Sequence, residues 1–280
     1  MYSTMRLRPI SPLQWAVWFL LPAAVLAWIV FATPHALDIA LSSPFYFSDG
    51  FSLNRAPFML FLHRVARVVP IGTAVLALVI VLRTLRARKA SGGGFLDLKH
   101  LFYLLAAMLA CVMLVKFLKT TTGVYCPVRV DVFGGEAPIA SPTFSWSARP
   151  GHCWPSGFAG TGWCLFALYF AFRDRSALYA KRGFALALGV GLFCSVVQVI
   201  RGEHFFTHVL GTALIDWLVC ASLYVLFFAR DIIRAAVQEK SAAAVKMTLS
   251  SFSSRKKIAS GQAVAAIGAA GVTSCRSGTK

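Results

Sequence analysis

Residues 101–118 read LFYLLAAMLACVMLVKFL, and Lys119 follows. A single charge, Lys116, interrupts the run. As an α-helix these residues rise about 27 Å, close to the roughly 30 Å of a bilayer's hydrocarbon core. The run is too long and too evenly apolar for a half-buried strand, which would alternate. It reads as a membrane span whose last turn carries a lysine.

The same pattern recurs on both sides, at residues 13–32, 65–82, 157–172, 184–200 and 208–228. The chain is 58% hydrophobic and only 14% charged, whereas soluble domains carry about 25% charged residues. Mean hydropathy is +0.70. These values exclude an ordinary soluble enzyme and point to lipid as the solvent. The first run is long for a signal-peptide core, and no small-residue cleavage site follows it. It reads as a retained span, with Pro22 tolerated inside it. The expected fold is all-α, a polytopic membrane helical bundle of about six transmembrane helices. Residues 1–12 form a short terminus and 13–234 the membrane domain. Residues 235–280, rich in Ala, Ser and Lys without a sustained apolar face, read as a disordered basic tail.

The net charge is +18. Nucleic acid and an anionic membrane surface both attract such a chain. The termini and the links 83–100 and 173–183 hold 20 of the 28 Lys and Arg, and the opposite side holds eight. The positive-inside rule then places both termini in the cytoplasm. This accounts for the basic excess without a nucleic-acid partner, and the expected location is the inner (plasma) membrane. Loops 33–64, 119–156 and 201–207 face outward, and the basic link containing Gly92-Gly93-Gly94 faces inward.

Polar residues collect at the outward ends of four spans. Lys119 closes the third, Ser156-Gly157 opens the fourth, Arg201 closes the fifth, and His204 and His208 open the sixth. Arg and Lys supply cationic donors to phosphate. A Ser-Gly turn at a helix start offers N–H groups to an anion, and a neutral histidine can attack phosphorus. Each residue also has an ordinary reading. Lys119 and Arg201 can snorkel to the interface, Ser156 can serve only as an N-cap, and the histidines can be hydrogen-bonding residues.

Three blocks make the set more specific. Lys119 is followed after six residues by Cys126-Pro127; then comes Trp154-Pro155-Ser156-Gly157; then Arg201-Gly202-Glu203-His204-Phe205-Phe206-Thr207-His208. Their order and spacing resemble the signatures of the type 2 phosphatidic acid phosphatase superfamily, and the stretch from Cys126 to Gly135 is similar to a bacterial membrane-bound branch. The resemblance covers roughly residues 35–230. It implies a metal-free, cofactor-free phosphoryl transfer. His208 would become a phosphohistidine, with Lys119, Arg201 and the Ser156/Gly157 backbone around the phosphate. A lipid phosphate or diphosphate would be the substrate, with membrane lipids as the other partners.

The sequence departs from that pattern. The family places a proton-donating histidine directly after Pro-Ser-Gly, where this chain has Phe158. General acid catalysis is typically worth about 10²–10⁴-fold. His152 and His204 are the candidate replacements, and a catalytically impaired member that binds anionic head groups is the alternative function. Cys126 replaces an arginine. Thr212 stands where an aspartate often orients the nucleophile; Asp216, about 12 Å further along in rise, is too far for that. Cys126 and Cys153 share the outer loop and are read as either bridged or two free thiols. Arg129, Asp131 and Arg149 in that loop, and His35, Asp38 and Asp49 in an outer segment, read as solvated or interfacial charges. Trp15, Trp18, Trp28, Trp163 and Trp217 fit aromatic belts or lipid-facing packing.

Overall fold

The computed structural model of the protein describes residues 9–48, 50–86, 97–139 and 151–273. Asp49, the Gly92–Gly94 link and Arg149 lie outside the described residues. The helices are α1 (Pro12–Ala32), α2 (His35–Ser42), α3 (Pro57–Val65), α4 (Val68–Arg86), α5 (Leu98–Thr121), α6 (Gly157–Trp163), α7 (Phe166–Phe172), α8 (Ala177–Ile200) and α9 (Phe206–Thr273). No strand forms among the described residues, only isolated bridges. The chain is a multi-pass membrane protein with a helical bundle.

Local sequence explains where the helices start. Ser11 and Gln14 form a capping box ahead of Pro12. Asp97 caps α5 and Ser176 caps α8 through the third backbone N–H. Such caps satisfy donors that helix starts leave unpaired. Pro57, pre-set for the first helical position, starts α3 well before residue 65. The second span is therefore Pro57–Arg83, longer than its apolar core suggested, with a turn at Ala66 and Arg67. Pro22 has no N–H to give to the Trp18 carbonyl one turn back. The Trp217 indole donates to that carbonyl instead, at 3.1 Å, and α1 is locally π-helical over Ala16–Leu20.

Five helices are long and apolar enough to cross a membrane: Pro12–Ala32, Pro57–Arg83, Leu98–Thr121, Ala177–Ile200 and Phe206–Ala242. The segment read as a sixth span, Gly157–Phe172, is shorter and breaks between α6 and α7. It is also deeply enclosed. Phe158, Ala159, Gly160, Gly162, Trp163, Phe166, Ala167, Phe170 and Ala171 are all buried. Protein rather than lipid surrounds much of it, so its apolarity reflects a core position as much as a bilayer one.

α6 lies directly on α8. A Cβ on Gly162 would come within 2.8 Å of the Gly191 backbone. One on Gly191 would meet the Trp163 ring. The Trp163 indole donates to Ser195 Oγ at 3.1 Å, and Ser195 donates to the Gly191 carbonyl at 2.7 Å. Small residues permit such close backbone approach where no water drives helices together. Tyr103 on α5 donates to the Cys220 carbonyl of α9 at 2.9 Å. At the end where α5 and α8 begin, Arg173 donates to Asp174, the Tyr224 hydroxyl and the Pro9 carbonyl.

Residues 230–273 are helical, as the intrinsic propensity of alanine and lysine favours.

Gly162→Val should open the α6–α8 contact and cost about 1–3 kcal/mol, as overpacking does. Gly189, where an added Cβ meets nothing within 4 Å, should accept Ala without loss. Thermal unfolding in detergent compares the two; equal melting temperatures would rule out the close approach as a determinant of stability.

Candidate functional site

Four segments are pinned together at the end of the bundle where α5 and α8 finish. Thr122, just past α5, donates its hydroxyl to the Trp154 carbonyl at 2.6 Å. Cys153 N–H donates to the Val124 carbonyl at 2.8 Å. A disulfide joins Cys126 to Cys153. The loop that leaves α5 therefore returns beside itself before entering α6. Val128 N–H donates to the Gly202 carbonyl at 3.0 Å, which holds this loop against the α8–α9 turn. Gly202 has φ +65°, and a Cβ there would run into the Phe51 ring. It is the left-handed residue that ends α8.

Arg201 is buried and held on three sides. Nε donates to the Asn54 carbonyl at 3.0 Å, Nη1 donates to Gln198 Oε1 at 3.2 Å, and Nη2 lies 3.7 Å from Glu203 Oε1. Lys119 is half-buried and feels the Glu203 charge. Ser156 is wholly buried and caps α6 by accepting from Ala159 N–H. The space where a Gly157 side chain would begin is open for 4 Å.

His204 and His208 are both buried, with ring centroids 5.9 Å apart and edge to face. His204 Nδ1 lies 3.4 Å from the Cys153 sulfur. His208 Nδ1 is buried without a hydrogen-bond partner. Burial holds the His204 imidazole well below its ordinary pKa, and the charges of His208, Lys119 and Arg201 push the same way. His204 is therefore neutral at physiological pH.

Thr212 does not orient the His208 ring. Its hydroxyl donates to the His208 carbonyl at 2.7 Å and accepts from Ser156 N–H at 2.8 Å. It fastens the start of α6 to the first turns of α9. His152 is exposed at the rim, 3.1 Å from the Lys119 carbonyl through Nδ1. With Arg55, Arg129 and Glu203 it lines a polar pocket of about 660 Å³. Lys119, Ser156, Arg201, His204 and His208 thus converge, while His152 stands outside them.

Donor atoms of Cys153, His204 and His208 lie within 4.8 Å of one another, a spacing that could hold a metal ion. The Cys153 sulfur is committed to the disulfide and offers no thiolate, so this set does not fit a resident metal.

Sequence reading missed three contributors. Asp38, read as an interfacial charge, is buried. Its carboxylate accepts from Thr207 N–H at 2.9 Å and from the Thr207 hydroxyl at 2.5 Å. It caps α9 from 169 residues away. Burial pushes its pKa up, opposed by the two Thr207 bonds and the nearby His35 charge. His63 on α3 stacks on Phe158, centroids 4.0 Å apart and planes 21° apart. Arg67, one turn further, lies over the same phenyl ring at 5.8 Å. Nothing local in the sequence points to these residues; each acts across more than ninety positions.

Asp38→Ala should leave two buried Thr207 donors unpaired beside His208 and cost about 1–3 kcal/mol. Differential scanning calorimetry of the purified variant measures this. An unchanged unfolding temperature would show that water replaces the carboxylate.

Residues 100–232 match the family model described as PAP2 superfamily. Comparisons with curated proteins and with solved structures found no match. The matched stretch runs from the first turns of α5 into α9 and contains Lys119, Ser156, Arg201, His204 and His208, and members of that superfamily are phosphatases. The segment that carries this cluster, residues 100–232, is thus similar to the PAP2 superfamily, the type 2 phosphatidic acid phosphatases.

Proposed function

We propose that the protein is a membrane phosphatase or phosphotransferase that acts on a lipid phosphate or diphosphate through a phosphohistidine on His208. One observation carries the lipid part of this reading. Beside the first turns of α9 lies an apolar cavity of about 350 Å³, lined by Leu41, Trp163, Val196, Val199, Phe206 and Val209 among others. His208 sits between two of these lining residues in the chain; the His204 ring lies 5.9 Å away, and the charge of Lys119 reaches both rings. A molecule with a hydrocarbon tail and a phosphate head suits that division: the tail fills the cavity and the head meets the cations.

In this reading Lys119, Arg201 and the Ser156/Gly157 backbone balance the charge that spreads over the phosphoryl oxygens in the transition state. Glu203 and the Asn54 carbonyl hold Arg201 in place before substrate arrives, so little reorganisation is needed. The His208 nitrogen attacks phosphorus, and the burial that strips it of water keeps the nucleophile unsolvated. The site faces the cell exterior or periplasm, on the strength of the charge asymmetry between the loops. A binding-only role is the second reading, and Phe158 is the observation that favours it.

Phosphate release by purified protein from micelles of phosphatidate, polyprenyl diphosphate and a phosphorylated saccharolipid tests the reading. Turnover is expected on at least one, and His208→Ala should reduce it to background. Acid-labile, base-stable radiolabel on the wild-type protein should disappear in the same variant. Lipid binding without turnover on any substrate, and turnover gained with Phe158→His, would favour the binding role.

A further inference from the structure

Phe158 leaves the proposed reaction without its expected proton donor, and the geometry points to His63 as the replacement. This rests on the phosphatase reading above. We propose that His63, reaching the site from α3, protonates the leaving oxygen from beside the phenyl ring of Phe158.

Three observations place it there. The imidazole of His63 lies face to face with the Phe158 ring, centroids 4.0 Å apart. An imidazole is therefore present within one ring's thickness of position 158, supplied by a different helix. Second, the fields of both Arg67 and Arg201 act on His63. Arg201 belongs to the cluster around His208, so His63 is within electrostatic reach of the reacting centre. Third, the segment is anchored. Ala66, Met59 and Leu62 pack with Phe158, Cys194 and Val197, which seats α3 against the starts and ends of the helices that form the mouth. His63 is half-buried.

The two other histidines are less well placed. His152 is exposed, and its Nδ1 faces the Lys119 carbonyl at the rim. His204 directs Nδ1 at the Cys153 sulfur, 3.4 Å away, and lies one turn before His208 on the nucleophile's own side. An acid must approach the leaving oxygen, opposite the attacking nitrogen in an in-line displacement. His63 comes from a separate helix, α3, and not from the helix that carries the nucleophile.

The steps balance. The His208 nitrogen attacks phosphorus, and the bond from phosphorus to the leaving oxygen breaks. Its electron pair stays on that oxygen, which takes a proton from the His63 imidazolium. Water then attacks the phosphohistidine, and the P–N pair returns to His208. His63 takes the proton that water loses, and inorganic phosphate departs. The arriving phosphate monoester gives the neutral ring its second proton, and its remaining negative charge holds the imidazolium between the two arginines. Arg67 Nη2 stands 3.5 Å from His63 Nε2. A guanidinium has only donors, so Nε2 accepts there and Nδ1 carries the ring's proton in the resting state.

The test uses leaving groups that differ in their need for a proton. Wild type, His63→Gln, and His63→Gln with Phe158→His are assayed on p-nitrophenyl phosphate and on phosphatidate. Phosphohistidine formed on the aryl ester counts competent sites, so misfolded protein does not enter the rates. Per competent site, His63→Gln should slow phosphatidate turnover about 10²–10⁴-fold and the aryl ester by less than about tenfold. Adding Phe158→His should restore much of the phosphatidate rate. Equal slowing on both substrates, or none on phosphatidate, overturns the role of His63 and leaves the phosphatase reading intact. Absence of turnover by wild type on both substrates overturns the phosphatase reading and this inference with it.

Discussion

Hydrocarbon cannot accept or donate a hydrogen bond, and that constraint organises this molecule. Two breaks in helix regularity have partners drawn from elsewhere in the protein. Pro22 denies the Trp18 carbonyl its usual donor, and the Trp217 indole supplies one. The break before α6 frees the Ser156 N–H, and the Thr212 hydroxyl accepts it while giving its own proton to the His208 carbonyl. Polar chemistry is left to the helix ends. The site is thus a by-product of the same rule that sets the spans: residues that lipid would reject gather where helices stop.

The spans were legible because length and apolarity measure the solvent directly. The residues of the mouth were legible for a related reason. Lys119, Ser156, Arg201 and His208 sit at ends of apolar runs, and antiparallel neighbours bring alternate ends to one side. The rest was hidden in different ways. Asp38 looks like any loop carboxylate, because its partner Thr207 is 169 residues away and local spacing carries no trace of the pairing. His63 reads as a residue outside the second span, because Pro57 begins the helix earlier than the apolar run does. Thr212 was placed correctly beside His208, but a hydroxyl one turn along a helix bonds the backbone carbonyl more readily than the ring.

The mouth is also over-determined. A disulfide, the Thr122–Trp154 bond and the Cys153–Val124 bond all join the same two legs of one loop. Arg201 has three acceptors around it before any substrate is present. Stability is spent here on holding cations close together, which the free protein resists by Coulomb repulsion. A phosphate entering such a site meets groups already in position.

Asp38 has a bearing on what counts as one folding unit. The segment recognisable as a family domain begins at residue 100, yet the helix that carries His208 starts on a carboxylate from α2. A fragment cut at the recognisable boundary would keep every residue of the signature and lose the group that caps the start of α9. The native unit is therefore larger than the unit that sequence comparison detects, because the last helix is capped by a residue from the early part of the chain.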